Sequence, residues 1–289
     1  ETVTVDDDDA LAWVTGEDLA TGDAAALPAE FVHFPPHERR FRPSITTGLG
    51  LGNSGVEALL AGLYETIERD ATMIAWYSTL DPLELRIDGD DDPAFAELRA
   101  RASAVGLSVT PLLVTADVDV PVVAVGVHRE DEWPRFAAGS AADLDPHAAA
   151  RSALSEALQN WMELRAMGPE DAAEQGAAIG EHADFPAETR AFFDPDAAVP
   201  ADGLGAPDAA GADELDAVLD RLAEADLDAY AARTTTRDLQ ALGFEAVRAL
   251  VPAAQPLFTG EPFFGERARE VPASMGFDPR PDAPYHPFP

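Results

Sequence analysis

The chain has 289 residues, enough to bury a core as one large domain or two small ones. Its 54 acidic residues outnumber 19 basic ones for a net charge of −35, and every basic residue is an arginine. That balance excludes a basic surface for nucleic acid, and the lack of cysteine excludes disulfides, thiolate nucleophiles and cysteine zinc sites.

Hydrophobic residues make up 46 % of the chain, which predicts a globular protein rather than a disordered one. The acids are spread among apolar segments instead of being confined to a tail. Such self-repulsion destabilises a compact state in dilute buffer, but at molar salt the Debye length falls to about 3 Å. The charge therefore reads as halophilic adaptation. No apolar run approaches the roughly 18 residues of a membrane span, and no signal peptide is visible. The expected location is cytoplasmic, with no membrane partner. The chain begins at Glu1 without a methionine, which reads as a piece of something longer.

Residues 1–43 alternate acidic and proline-rich stretches around a short strand at Leu11–Val14. The run Gly48 to Gly55 reads as a loop, and a long helix is predicted over Ser54–Tyr77 with Ser54 as its N-cap. A strand at Leu83–Ile87 and a helix at Asp92–Val105 follow. Leu107–Thr115 and Val120–His128 are rich in valine and leucine and read as paired strands, with Trp133–Phe136 a further candidate. Asp145 followed by Pro146 opens a helix that runs to Arg165. Residues 167–212, rich in Ala, Asp, Gly and Pro, read as short helical pieces and long loops forming an acidic insertion. A helix at Asp213–Ala225, a strand near Ala229–Arg233, a short helix from Thr236 and a strand at Phe244–Val251 precede a proline-rich end. Strand pairs alternating with helices predict an α+β or mixed α/β protein.

Three segments have the composition for chemistry. Gly50-x-Gly52-x-x-Gly55 matches the dinucleotide fingerprint as a string, and Asp70 nearly fits its acid position. Arg42–Thr47 is a poor strand, however, so a dinucleotide enzyme is the remote reading. The alternatives are a flexible turn feeding a helix, or glycines that let backbone amides approach phosphates. On the helix that follows, Val56, Leu60, Leu63, Ile67 and Ile74 form an apolar stripe. Glu57, Glu65 and Glu68 fall within about an 80° arc on the other side, with Ser54 inside it and Arg69 just beyond. Magnesium suits such a carboxylate row, because it takes oxygen ligands and pairs with phosphates. With 54 acids in the chain, a solvated acidic face is the competing explanation. In the second long helix Leu154, Leu158 and Trp161 form the apolar face, and Glu156, Gln159 and Asn160 are placed opposite. The six histidines are scattered, with His33 and His37 read as loop residues.

Taken in order, these segments resemble the YcaO family. The resemblance is carried by Trp13-Val-Thr-Gly16 with Asp18-Leu19 and Thr21-Gly22, by Thr47-Gly48-Leu-Gly50 to Gly52-Asn53, and by Glu57-Ala58 with Leu63-Tyr-Glu65-Thr-Ile-Glu68-Arg69-Asp70. It continues through Ser152-Ala-Leu-Ser-Glu156-Ala-Leu-Gln159, Leu242-Gly243-Phe244 to Val251-Pro252, and the terminal His286-Pro287-Phe288-Pro289. It implies a YcaO-type ATP-binding α+β fold with strand pairs packed against long helices, and an enzyme using ATP and Mg. In that family a backbone amide is activated by O-phosphorylation. Loss of phosphate then gives an azoline when a side chain has attacked the carbonyl, or a thioamide when sulfide has.

By the same resemblance Glu65, Glu68 and Glu156 are expected to hold metal, and Ser54, Glu57, Arg69 and Gln159 to lie near the nucleotide. The tail ending at Pro289 is expected to reach the catalytic centre. The implied partners are a peptide or protein substrate and a TfuA-type accessory protein, and a homodimer is compatible with the sequence. Two departures stand out. A family pattern places Gln four residues after the second-helix Glu, where this chain has Asn160. Family members also have sequence before the Trp-x-x-Gly segment, so residues 1–289 read as a YcaO domain lacking its N-terminal portion. The alternative is a non-catalytic YcaO-like scaffold.

Overall fold

The computed structural model describes residues 11–36, 45–89, 92–175 and 177–288. In chain order, strands β1 (Trp13–Asp18) and β2 (Ala24–Pro28) precede a one-turn helix α1 (Ala29–Val32). Then come β3 (Leu49–Gly52), the long helix α2 (Gly55–Trp76), β4 (Leu83–Arg86) and α3 (Pro93–Ala104). Strands β5 (Ser108–Leu113), β6 (Val122–His128) and β7 (Phe136–Ala142) lead into the second long helix, α4 (Pro146–Met167). Three short helices, α5 (Pro169–Gln175), α6 (Ala177–His182) and α7 (Ala187–Phe192), and strand β8 (Ala198–Pro200) follow. The chain continues through α8 (Ala212–Glu224), β9 (Tyr230–Arg233), α9 (Arg237–Ala241), β10 (Glu245–Leu250) and α10 (Arg267–Met275). The class is α+β, as expected.

Two compact units emerge. One is formed by the described residues of Glu1–Thr66 and Ala209–Ala254, the other by those of Ile67–Asp208 and Gln255–Pro289. The first holds a sheet in the order β2-β1-β9-β10-β3, with every pairing antiparallel. That topology removes the dinucleotide reading, which needs a parallel βαβ unit around the glycines. The glycine run is instead the edge strand β3, whose Gly50 pairs with Val247. It looked like a loop because its glycines answer to packing: a Cβ at Gly50 would lie 1.8 Å from the Ala58 carbonyl oxygen of α2.

The second unit holds a sheet in the order β7-β6-β5-β4-β8, antiparallel except for the parallel β4–β8 pair. Val123, Val125 and Val127 of β6 pack with Ala149, Ala153, Leu154, Ala157 and Trp161 of α4 in its core. The many alanines let this helix lie close: a Cβ at Gly139 of β7 would sit 2.4 Å from the Ala157 nitrogen. Asp145 caps α4 by accepting from the His147 amide, and Asp92 caps α3 by accepting from Phe95. Strand β7 starts at Phe136, so Trp133–Arg135 is not strand.

Candidate active site

The carboxylates of α2 have different fates. At its first turn the Ser54 hydroxyl accepts from the Glu57 amide, while Glu57 Oε2 accepts from the Asn53 amide at 2.7 Å and from Asn53 Nδ2 at 3.0 Å. These are the reciprocal contacts of a capping box, shifted by one residue on the carboxylate side. Ser54 and Glu57 thus satisfy helix-end donors. Two turns on, Glu65 accepts from the Gly48 amide at 3.1 Å. Its unit also contains Arg248 of β10, 6 % exposed, which donates to the Ile45 and Thr46 carbonyls. Burial lowers the Arg248 guanidinium below its ordinary value, and the charge of Glu65 opposes this.

In the other unit, Glu68 is 8 % exposed. Its burial removes, for this residue, the competing explanation of a solvated acidic face. Its Oε1 accepts from the Ser140 hydroxyl at 2.7 Å, and the Arg69 guanidinium stands 3.5 Å away. The Ser140 amide donates to Glu156 Oε2 of α4, also at 2.7 Å. Both distances are in the range of charge-assisted bonds. Two buried or half-buried carboxylates from two long helices therefore converge on one serine of β7. The donors are all oxygen, which fits Mg, an ion held by one or two carboxylates together with waters and substrate phosphates rather than by an all-protein cage. Among the described residues no group of three His, Cys, Asp or Glu side chains is disposed to hold a metal alone.

Two residues beyond Glu68, Asp70 is 2 % exposed and clasped by Arg267 of α10. Arg267 Nε and Nη2 donate to its two oxygens at 3.0 and 2.7 Å, and the Gln255 amide donates at 2.6 Å. The same guanidinium donates to both oxygens of Asp117. Burial alone would lower the Arg267 guanidinium, but the hydrogen bonds and charges of Asp70 and then Asp117 outweigh it and raise it.

A family model described as YcaO cyclodehydratase, ATP- and Mg2+-binding, matches residues 1–255. The chain belongs to the YcaO family. It is 33 % identical over 159 residues to an uncharacterized protein of Methanothermobacter thermautotrophicus, covering 52 % of this chain and 41 % of that protein. It is 29 % identical over 163 residues to an uncharacterized protein in the tfuA 3′ region of Rhizobium leguminosarum bv. trifolii, covering 52 % of this chain and 39 % of that one. The matches thus span about two fifths of these relatives' own length. Among solved structures, a heterocyclase in complex with substrate and cofactor superposes with TM-score 0.78 at 24 % identity, over 94 % of this chain and 36 % of that one. YcaO from Methanopyrus kandleri bound with AMPPCP and Mg2+ superposes with TM-score 0.67 at 28 % identity, over 84 % and 64 %.

Of the residues singled out in this YcaO chain, Glu68, Arg69 and Glu156 gather around Ser140. Gln159 does not: it is exposed and donates to Glu163 one turn on. Asn160, one turn from Glu156, is 7 % exposed and donates to the Ala138 carbonyl of β7. The projection that grouped Gln159 and Asn160 on one polar face is therefore corrected. Pro289 lies outside the described residues. The segment before it is held firmly. Trp76 Nε1 donates to the Pro284 carbonyl and His182 Nε2 to the Tyr285 carbonyl, both at 2.7 Å. Tyr285 and His286 donate in turn to the Phe258 carbonyl. Burial drives the His286 imidazole down to about 4, so it is neutral at pH 7.

Ser140 escaped the sequence reading. Its signal was faint: one hydroxyl in Phe-Ala-Ala-Gly-Ser-Ala-Ala, a strand buried at every position, where any polar group needs a partner.

Proposed function

We propose that this chain carries the core of an ATP- and Mg-dependent enzyme that activates a peptide backbone amide by O-phosphorylation. The observation that carries the reading is the convergence of Glu68 and Glu156 on Ser140, in a chain whose family is described as ATP- and Mg2+-binding. Glu68 and Glu156 would hold Mg, which neutralises phosphate charge when bound. Arg69, 3.5 Å from Glu68, is suited to a phosphate oxygen. Ser54 and Glu57 are assigned to the nucleotide, at the first turn of α2, and Glu65, farther along the helix, remains a proposed metal ligand on the family resemblance alone. Gln159 has the weakest support, because its amide is engaged by Glu163.

Within this reading a thioamide is favoured over an azoline, with a TfuA-type protein as partner. The support is the relative encoded in a tfuA 3′ region. The net charge of −35 and the absence of lysine support a salt-rich working medium.

Calorimetric titration of the chain with AMPPCP in molar KCl, with and without Mg, tests the core claim. Binding that depends on Mg is expected, and no heat in either condition would sink it. Comparing peptide masses from cells with and without the gene separates the products. A thioamide exchanges oxygen for sulfur, whereas an azoline loses one water.

A further inference from the structure

We infer that Ser140 is a positioning residue for the proposed metal site, its hydroxyl fixing Glu68 beside a Glu156 that its amide already holds. The inference rests on the metal role proposed above for those two glutamates.

The two bonds from Ser140 have different origins. Among the described residues strand β7 is the edge of its sheet, with β6 as its one partner strand. Alternate amides and carbonyls of an edge strand point away from the ladder and must be met elsewhere. Helix α4 meets them here: Glu156 accepts from the Ser140 amide, and Asn160, four residues later on the same face, donates to the Ala138 carbonyl. The Glu156 contact is thus what the fold requires of any residue at position 140.

The hydroxyl is different. Packing alone calls for alanine on this strand, where four of the seven residues are alanine and all seven are buried. A serine that is 4 % exposed must satisfy its hydroxyl, and it does so on Glu68 Oε1 of another helix at 2.7 Å. Two carboxylates brought to one residue repel, and free glutamate rotamers would turn them apart. The hydroxyl opposes that turn. As a neutral donor it orients Glu68 without cancelling its charge, and it takes one of the roughly four acceptor positions of a carboxylate. Orientation with charge retained is what a hard divalent cation needs from the groups behind its ligands.

The test is a titration of the chain with Mn2+ in molar KCl with AMPPCP present, followed by the loss of the free-ion electron paramagnetic resonance signal. Mn2+ shares the oxygen preference of Mg2+ and is directly visible. Ser140→Ala keeps the amide bond to Glu156 and deletes only the hydroxyl. Its Mn2+ affinity should fall about 10- to 100-fold, the usual effect of removing a group that orients a ligand. Its melting temperature without metal should stay close to wild type. Ser140→Cys, similar in size but a much weaker donor, should lose affinity similarly and serves if the alanine variant does not fold.

Unchanged Mn2+ affinity in both variants, with wild type binding, overturns the inference and leaves the metal reading standing. A fall in melting temperature that parallels the fall in affinity in both variants makes Ser140 structural and also overturns it. No Mn2+ binding by wild type overturns the metal reading and the inference together.

Discussion

Two carboxylates two residues apart on α2 are buried almost equally, Glu68 at 8 % and Asp70 at 2 %, yet they are satisfied in different ways. Asp70 meets a guanidinium through two hydrogen bonds, and a second acid, Asp117, completes the clasp. Glu68 meets the hydroxyl of a serine whose amide holds Glu156, another acid. One arrangement supplies the opposite charge from the protein itself. The other aims its two acids with the hydroxyl and amide of Ser140, and a guanidinium, that of Arg69, stands 3.5 Å from Glu68 instead of clasping it through two short bonds. The difference separates a charge used to hold the fold from a charge suited to hold a cation.

Removing Arg267 should break the first arrangement most severely. Arg267→Ala leaves Asp70 buried and unpaired, and about 3–5 kcal/mol of stability should be lost in urea unfolding at molar KCl. A loss below about 1 kcal/mol would mean the clasp is not what secures α10.

Acid titration can compare the two arrangements only after His286 is accounted for. Its folded value of about 4 lies below the ordinary 6.5. As pH falls through that window the unfolded chain takes up a proton that the folded chain refuses. His286 therefore destabilises the fold by about 1.4 kcal/mol per pH unit between 6.5 and 4, roughly 3 kcal/mol in all. Unfolding free energies measured at pH 4.5 and 7 should converge in His286→Gln relative to wild type. Equal slopes in the two proteins would show that His286 is not kept neutral by burial.

The sharpest comparison exchanges charge for neutral amide at each acid. Asp70→Asn should cost about 1–3 kcal/mol of stability and leave Mn2+ affinity unaltered. Glu68→Gln should change stability by no more than about 1 kcal/mol while lowering Mn2+ affinity at least about tenfold. If the two variants behave alike in both measurements, the distinction between the clusters fails. The smallest effect is expected from Asp117→Asn. That side chain is 26 % exposed and shares its guanidinium with Asp70, so about 1 kcal/mol or less should be lost in the same urea assay.

The pattern of what the sequence disclosed follows from the same physics. Helices α2, α3, α4 and α8 carry apolar stripes or caps, and strands β5 and β6 carry runs of valine and leucine, so all six are legible. The elements that escaped lack those marks. Strand β3 is Leu-Gly-Leu-Gly because α2 crosses it too closely for side chains. Strand β2 is mostly alanine, and β7 is buried on both faces, so neither alternates. Helix α10 contains Pro272 within a polar stretch. At the candidate site, the acids came from a resemblance to known motifs, because a chain with 54 acids gives carboxylate spacing little weight. Ser140 had no motif around it. Its partners lie 72 residues before it and 16 after it, a pairing that only the fold discloses.

The sheet of the second unit closes both of its margins. At one end β7 is buried along its whole length, and at the other β8 is three residues long and finishes in Pro200, opposite Arg86 of β4. Proline offers no amide to a newcomer, and so short a strand gives little template for one. In concentrated salt the like charges of neighbouring molecules no longer keep them apart. A barrier made of geometry is indifferent to ionic strength, so at these two margins the protein resists edge-to-edge aggregation where electrostatic repulsion would fail.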